Sequence, residues 1–404
     1  MKKTIRDINF KNKGVLVRVD FNVPLKDGVV KDDNRIREAL PTINYLLDNG
    51  AKVCLCSHLG KIDFKDPEKT PLDMAKNDMK FVAPKLEELL GKHVYYVDEV
   101  YGNKVDETWK SLKPGEVMLI QNTRYIKGET KNDPELAKEL AKDKDVFVMD
   151  AFGSAHRSHS STYGVAEILK NEGKETALGF LMEKEVNSLS KCVEAKEHPY
   201  VAVLGGAKVS DKIKVIESLL EKVDKIIVGG AMAYTFLKSE GVDVGNSRVE
   251  EDQLDFAKNC LEKANGKIVL PVDHICADDF ETPNEIKLCK GSIDKGFMGL
   301  DIGPETIELY KKVLDDAKVI FWNGPMGVFE DSRFATGTKS VCAHIASLKG
   351  AFSVIGGGDS ASAAKQFGYK EEFSHVSTGG GASLEMIENN GVLPGIEIIE
   401  DKGE

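Results

Sequence analysis

Short apolar segments alternate with longer segments of helical periodicity along the first half of the chain. The apolar segments are rich in Val, Ile and Leu, which indicates buried strands. They are residues 15–19, 53–56, 94–97, 117–120 and 146–149. Between them, helices are predicted over 35–48, with a kink or early break at Pro41, and over 74–90, where Pro84 disturbs the pattern. Asn132-Asp133-Pro134-Glu135 provides a cap, a first-turn proline and an acid, and so predicts another helix start.

The second half of the chain repeats this alternation. Strands are predicted over 200–204, 225–228, 268–270, 319–322, 352–355 and 375–377, and helices over 209–222, 231–239, 251–263, 304–316 and 336–348. Strands that alternate with helices favour parallel sheets with helices on both faces. Two such series in 404 residues predict two α/β domains, joined by an ordered element within 176–190.

Polar residues follow the predicted strands of the first half, where open α/β sheets bind their ligands. The segments are 20–22, 57–61, 121–124 and 150–157. The chain has 55 Lys and Arg, of which only eight are Arg, yet Arg18, Arg35, Arg124 and Arg157 all fall near these strand ends. A guanidinium fork matches phosphate and carboxylate groups. We call these strand ends and Arg35 the arginine edge. Its arginines predict a pocket for a small, multiply charged anion.

Glycines follow the predicted strands of the second half instead. The segments are 205–208, 229–231, 323–325, 356–359 and 378–381, which we call the glycine edge. Glycine lets backbone N–H groups approach a ligand, and a helix start behind them attracts anions. Asp359 is a natural partner for Mg²⁺ among phosphates, so this edge predicts a nucleotide site.

Lys208 and Lys212 are four residues apart, which places them on one face near the predicted start of a helix. Two cations there repel each other and oppose the helix dipole. They belong to a solvated face, or they contact a phosphate that would relieve both penalties.

Composition narrows the possible functions. The net charge of −11 disfavours non-specific binding to nucleic acid and to anionic membranes. No apolar segment approaches the roughly 20 residues of a membrane helix, and the first residues lack the apolar core of a signal peptide. The seven scattered cysteines are typical of reduced thiols, so we expect a cytoplasmic protein.

Three classes of protein remain to be compared. A dehydrogenase is suggested by Gly356-x-Gly358-x-x-Ala361, but the next predicted strand ends at Ser377-Thr378 and lacks the acid that would hold the ribose. A non-catalytic anion-binding module would not need two sites of different chemistry. No P-loop or protein-kinase motif occurs. The two edges favour group transfer between two ligands that meet in a closed, dry cleft.

Seven motifs, in order along the chain, resemble those of phosphoglycerate kinases. They are residues 17–24, 57–60, 150–157, 204–212, 322–330, 355–359 and 374–383, and the similarity extends from about residue 14 to 392–395. One departure is Lys61-Ile62, where the family usually has Arg and Pro. Another is Gln121, which begins a segment where the family usually has Glu.

The resemblance implies two Rossmann-like, three-layer α/β/α domains with mostly parallel sheets, joined by a hinge. It implies an N-terminal domain of residues 1–177 plus 390–404, a C-terminal domain of 178–389, and hinges near 178–190 and 377–393. The expected reaction transfers a phosphoryl group between 1,3-bisphosphoglycerate and ADP, giving 3-phosphoglycerate and ATP, with Mg²⁺. The expected enzyme is a cytoplasmic monomer that binds neither nucleic acid nor membrane.

The resemblance also implies a role for each matching residue. The triose would contact Asp20, Phe21, Asn22, Arg35, His58, Leu59, Gly60, Lys61, Arg124 and Arg157. The nucleotide would contact Gly206, Lys208, Lys212, Gly299, Asn323, Pro325, Val328, Glu330, Gly357, Gly358, Asp359 and Ser360, with Asp359 on the metal. Arg35, Lys208, Lys212, Gly358 and Gly381 would act on the phosphoryl group during transfer.

Overall fold

The chain forms two compact units in the computed structural model, which describes residues 1–403. The first unit holds Met1–Val186 and the chain from Val392 onward, and the second holds Asn187–Gly391. Each unit contains one six-stranded sheet in which all neighbouring strands are parallel. The predicted fold class, parallel α/β with flanking helices, is therefore confirmed.

The strands of the first unit include all five that the apolar segments predict. They are β1 (Gly14–Val19), β2 (Leu25–Lys26), β3 (Val29–Val30), β4 (Lys52–Cys56), β5 (Val94–Tyr96), β6 (Val117–Leu119), β7 (Val146–Asp150) and β8 (Glu175–Leu178). The sheet order is β5-β6-β4-β1-β7-β8, and β2 and β3 form a separate hairpin. The sequence pattern missed β8 because polar Glu175 and Thr176 interrupt its apolar character, although Thr176 is fully buried.

The second unit has nine strands, of which the apolar segments predict six. They are β9 (Tyr200–Leu204), β10 (Lys225–Val228), β11 (Ile268–Val269), β12 (Asp273–Ala277), β13 (Ile286–Lys290), β14 (Met298–Ile302), β15 (Val319–Asn323), β16 (Phe352–Ile355) and β17 (His375–Val376). The parallel sheet has the order β11-β10-β9-β15-β16-β17. The missed strands β12 to β14 form an antiparallel sheet in which polar and glycine residues alternate with apolar ones, so no continuous apolar segment marks them.

The helices flank these sheets. They are α1 (Asn34–Asp48), α2 (Lys69–Lys76), α3 (Ala83–Leu90), α4 (Asn103–Ser111), α5 (Pro134–Ala141), α6 (Val165–Asn171), α7 (Phe180–Glu194), α8 (Ile213–Leu220), α9 (Met232–Ser239), α10 (Leu254–Ala264), α11 (Pro304–Leu314), α12 (Thr336–Ser347), α13 (Gly358–Gln366), α14 (Gly380–Glu388) and α15 (Pro394–Glu397). None of the helices within residues 1–403 is long and apolar enough to cross a bilayer. The start predicted at Asp133 is confirmed, since its carboxylate accepts from the N–H of Glu135 at 3.0 Å.

An early break at Pro41 and one continuous helix over 74–90 are not observed. Helix α1 continues through Pro41, because Pro41 lies on the exposed face while Ile36, Ile43 and Leu46 anchor both halves of the helix in the core. The segment 74–90 is not one helix, because α2 ends at Lys76 and α3 begins at Ala83. Pro84 does not disturb α3: it lies in the first turn, where its missing N–H costs no helical hydrogen bond.

All seven cysteines are free and buried. Burial raises the pKa of the Cys192 thiol to about 12 and that of Cys260 to about 11. The two tryptophans are packing residues, with Trp109 3% and Trp322 0% exposed.

A fully buried carboxyl lies against the start of α7. Asp150 ends β7, and its Oδ1 accepts from the N–H of Met182 at 3.3 Å. A helix start favours a carboxylate, but burial is the larger effect and raises the pKa of Asp150 to about 7. Gly179 makes room for this carboxyl, since a Cβ there would lie 2.2 Å from Oδ1.

Asp150→Asn should make the thermal stability less dependent on pH. The pKa of this acid is 3.8 in the unfolded chain and about 7 in the folded one. Its protonation therefore stabilises the fold fully below pH 3.8, and this stabilisation is lost as the pH rises through about 7. The slope is at most about 1.4 kcal/mol per pH unit. The melting temperature of the wild type relative to Asp150→Asn should therefore fall between pH 4 and 7. Exposed Asp252→Asn is the control, and a pH-independent difference for Asp150→Asn would contradict the assignment.

Candidate functional site

The arginine edge converges on the peptide backbone of Gly60, just beyond β4. The Gly60 N–H donates to Asn22 Oδ1 at 2.8 Å, and its carbonyl accepts from Arg124 Nη1 at 3.1 Å. Gly60 has a positive φ of +60°, and a Cβ there would lie 2.3 Å from Asn77 Oδ1, so a side chain would be strained and crowded. Three predicted site residues from separate strand ends are thus in direct contact.

Arg35 reaches the same edge from the first turn of α1. Its Nη1 donates to Asp20 Oδ1 at 3.2 Å and to the carbonyl of Asn22 at 2.9 Å. These bonds orient the guanidinium while more than a third of the side chain, 39%, stays accessible. Arg157 is exposed, and its charge contributes to lowering the pKa of Arg124, after burial and the charge of Arg18.

His58 is held in one protonation state by Arg18. The guanidinium Nη2 of Arg18 lies 2.9 Å from His58 Nδ1, and a guanidinium is only a donor, so Nδ1 is the acceptor. Burial, followed by the charges of Arg18, Arg124 and Arg35, lowers the pKa of His58 well below its usual value. The imidazole is therefore neutral with its proton on Nε2.

Several positive groups are gathered here at short range. Buried Arg18 donates through Nε to Ser161 Oγ at 2.8 Å, and Ser161 Oγ donates to buried Glu129 at 2.8 Å. Burial is the largest effect on His159 and, with the charges of Arg124, Arg18 and Arg157, lowers its pKa to about 4 despite the opposing charge of Glu129. Such crowding of like charges is typical of a site that binds an anion.

Some predicted triose contacts have other partners in the structure. The side chains of Phe21 and Leu59 are buried, 0% and 1% exposed, and the N–H of Phe21 donates to Ser57 Oγ at 2.9 Å. Both backbone groups of Leu59 bond to the side chain of Asn122. These two residues shape the loops, while Lys61 is exposed next to Gly60.

The second unit contains a cavity of about 520 Å³ at its glycine edge. The structure brings together the predicted residues Gly206, Gly299, Pro325, Val328, Glu330 and Asp359 in its wall. Sequence reasoning missed further lining residues, contributed by α9, by loops and by β14, namely Tyr234, Arg248, Phe280, Met298 and Leu300. Arg248 had a signal, since it is one of only eight arginines in a lysine-rich chain.

Glycine is required where the loops of this edge touch. Gly230 has a φ of +70°, and a Cβ there would lie 2.5 Å from the carbonyl oxygen of Gly206. Gly324, with a φ of +102°, would place a Cβ 2.2 Å from the carbonyl oxygen of Gly205. Any side chain at these positions would separate the loops that form the cavity wall.

The starts of α13 and α14 lie side by side. A Cβ on Gly380 would be 3.2 Å from the Cα of Gly357, and Ser383 Oγ donates to the carbonyl of Gly356 at 2.8 Å. Neither helix has a side-chain cap, so first-turn N–H groups remain for a ligand. Two helix starts at one place favour the binding of an anion, and Asp359 lies in the first turn of α13.

The predicted placement of Lys208 and Lys212 on one helix face is wrong. Helix α8 begins at Ile213, and both lysines precede it in a turn. The turn is tied to Glu250, whose carboxylate accepts from the N–H of Ser210 at 3.2 Å and from its hydroxyl at 2.6 Å. Lys208 is exposed, whereas Lys212 Nζ donates to Asn323 Oδ1. Burial lowers the pKa of Lys212, and the charges of Asp211 and Asp359 partly offset this.

The family model for phosphoglycerate kinase matches residues 5–390. The chain belongs to the phosphoglycerate kinase family. A phosphoglycerate kinase from Fusobacterium nucleatum is 52% identical, with 100% of each chain covered. One from Thermosipho africanus is 54% identical, covering 99% of this chain and 98% of the relative.

Solved structures of the family have the same fold. The phosphoglycerate kinase of Coxiella burnetii matches with a TM-score of 0.88 at 39% identity, and that of Pyrococcus horikoshii OT3 with 0.82 at 36% identity. Both matches cover 98% of each chain. The kinase interpretation is confirmed at the level of the family, and the dehydrogenase alternative is not supported.

His58 should remain neutral with its proton on Nε2 from pH 6 to 8, because Arg18 occupies Nδ1 and burial opposes a further charge. Two-dimensional ¹H–¹⁵N spectra that resolve the two ring nitrogens test this, with exposed His93 as the comparison. A His58 ring that gains a proton near pH 6.5 would contradict the assignment.

Proposed function

We propose that this chain transfers a phosphoryl group reversibly from 1,3-bisphosphoglycerate to ADP, giving 3-phosphoglycerate and ATP. The carrying observation is the pair of sites with different chemistry: convergent arginines around Gly60 in one unit, and the cavity with two helix starts and Asp359 in the other. Membership of the phosphoglycerate kinase family supports the same reaction.

The triose would bind at the arginine edge. Arg35, Arg124 and Arg157 supply guanidinium groups for its phosphate and carboxylate, and neutral His58 supplies an Nε2–H donor. Asp20 orients Arg35 at 3.2 Å, and Asn22 positions Gly60 at 2.8 Å. Lys61 would contribute charge without the arginine fork that the family usually has.

The nucleotide would bind in the cavity of the second unit. Glu330 would hold the ribose, while Gly299, Pro325 and Val328 lie where the base would pack. The phosphates would meet the N–H groups of the two helix starts, which Gly357, Gly358, Ser360 and Gly381 provide, and that of Gly206 after β9. Asn323 orients Lys212 toward this region through its Oδ1.

Asp359 could hold a magnesium ion that binds together with the nucleotide, whose phosphate oxygens would supply further ligands. Asp359 is exposed and lines the cavity, and no group of three potential metal-ligating side chains occurs among residues 1–403. Mg²⁺ commonly uses one or two carboxylates together with phosphate oxygens and water, so a single aspartate suffices. When bound, the ion would neutralise phosphate charge.

Transfer needs positioning and charge neutralisation rather than a general base. A β-phosphate oxygen of ADP forms the new bond to phosphorus while the bond to the acyl oxygen breaks, and the carboxylate of 3-phosphoglycerate leaves with the electron pair. In reverse, the attacking carboxylate is already ionised because its pKa is about 4. Arg35, Lys208, Lys212 and the N–H groups of Gly358 and Gly381 would stabilise the charge of the phosphoryl group in flight.

We also propose that the enzyme is a cytoplasmic monomer whose two domains close when both substrates are bound, since reacting atoms must approach to roughly 3 Å. Small-angle scattering should show a smaller radius of gyration with 3-phosphoglycerate and a non-hydrolysable ATP analogue together than with either alone. No compaction with both ligands would contradict closure.

A coupled assay tests the reaction itself. ATP-dependent consumption of 3-phosphoglycerate, followed as loss of NADH through glyceraldehyde-3-phosphate dehydrogenase, should occur only when this protein is present. No NADH loss with active coupling enzyme would refute the proposed function.

Lys208→Ala should lower kcat by roughly 10²-fold or more, because it removes one donor to the charge that develops during transfer. The matched control is Lys258→Ala, which removes an exposed lysine from α10 in the same unit. A kcat near that of the wild type in Lys208→Ala would show that Lys208 does not stabilise the transferred phosphoryl group.

A further inference from the structure

Behind the arginine edge lies a polar network that the reaction does not use directly. It joins Gln121 to Asp78 and Tyr96, and Gln121 is only 2% exposed. We propose that Gln121 is a positioning residue whose amide, paired with the Asp78 carboxylate, holds the Leu59–Gly60 loop in the geometry that binds the triose. This inference rests on the proposed function.

The loop is held first by Asn122, which is completely buried. Its Oδ1 accepts from the N–H of Leu59 and of Arg124, both at 3.0 Å. Its Nδ2 donates to the carbonyls of Leu59 at 2.7 Å and Asn77 at 3.0 Å. Asn122 therefore fixes the loop, the backbone of Arg124 and the turn after α2 relative to one another.

Gln121 holds the same turn from its other side. Its Oε1 accepts from the N–H of Met79 and of Asn122, both at 2.9 Å. Backbone N–H groups cannot accept, so these contacts fix which end of the amide is oxygen. Its Nε2 therefore faces Asp78 Oδ1 at 3.0 Å and the hydroxyl of Tyr96 at 2.9 Å, and donates to both.

Asp78 must be an acceptor in this arrangement. Besides Gln121, its Oδ1 accepts from the N–H of Lys80 at 2.8 Å and the hydroxyl of Tyr96 at 2.7 Å. Burial alone would raise the pKa of Asp78, but these donors and the charge of Lys80 outweigh it and lower the pKa. The other titratable groups near the network are Tyr125 and Asp98.

The network reaches the anion pocket through Asn77. A Cβ on Gly60 would lie 2.3 Å from Asn77 Oδ1, so Asn77 packs directly against Gly60. Gly60 in turn bonds to Asn22 and Arg124. A displacement of the turn around Asn77 and Asp78 is therefore transmitted to the peptide on which the proposed triose ligands converge.

Gln121→Glu introduces the residue that the family usually has, but in this chain it replaces the donor that faces Asp78 with a second carboxylate. At pH 8 both groups would be charged and repel, and the turn would shift. At lower pH the two carboxyl groups would share one proton, and the protonated one could donate as the amide does. We expect the KM for 3-phosphoglycerate at pH 8 to rise about 10-fold, the effect of one lost buried hydrogen bond, and to approach that of the wild type at pH 6.

The exchange variant Asp78→Asn/Gln121→Glu restores one amide and one carboxylate with their positions reversed. The exchange removes the repulsion between two carboxylates, so its KM for 3-phosphoglycerate should be at least about 3-fold below that of Gln121→Glu at pH 8 and should not change between pH 6 and 8. The KM for ATP, whose proposed site is in the other unit, should change less than about 2-fold in either variant. Gln366→Glu, exposed at the end of α13, controls for the substitution itself.

The measurements are 3-phosphoglycerate titrations at pH 6, 7 and 8 in the coupled assay, each relative to the wild type at that pH. Melting curves accompany them and show whether each variant is folded. A pH-dependent rise that is confined to the triose KM and reversed by the exchange supports the proposal. A wild-type KM in Gln121→Glu at pH 8, equal changes for both substrates, or a folded exchange variant without rescue would overturn it. Inactive wild-type protein would overturn the proposed function, and this inference with it.

Discussion

Backbone groups at the end of a parallel strand lose their partners in the sheet, yet they cannot be buried without hydrogen bonds. Both units meet this constraint with short polar side chains. Asn122 bonds to both groups of the Leu59 peptide, while Asn323 Nδ2 donates to the carbonyl of Gly356 at 2.7 Å. Ser360 Oγ accepts from the N–H of Gly324 at 2.7 Å. The loops are thereby fixed from the protein side, and their outer groups stay available to ligands.

The two edges then differ in how they present positive charge. In the first unit, the charge is carried by arginines oriented by acceptors such as Asp20. In the second it comes mainly from peptide dipoles at the starts of α13 and α14, where glycine permits close approach. Arginine guanidinium groups suit a small, branched anion, whereas convergent backbone N–H groups suit a polyphosphate. The family's two substrate types correspond to these two chemistries.

The sequence predicted what depends on local pattern. Continuous apolar segments located every strand of both parallel sheets except β8, and the order of polar residues after them led to Gly60, Arg124 and Asp359. Contacts between distant segments left no such signal. No break occurs at Pro41 because core contacts anchor both halves of α1, and the turn at Lys208 depends on Glu250, about 40 residues away. Met298 and Leu300 of β14 were missed because an antiparallel strand with mixed polarity resembles a loop in sequence.

The buried cysteines have a practical consequence for experiments on this enzyme. A thiol reacts as its thiolate, and burial both blocks access and keeps thiols such as Cys192 protonated near neutral pH. Alkylating reagents and mild oxidants should therefore leave the folded chain largely unmodified. A single cysteine introduced on the surface of each unit would then accept a fluorophore selectively, without removal of the native thiols. The packing of the core thus makes the native sequence a suitable background for distance measurements.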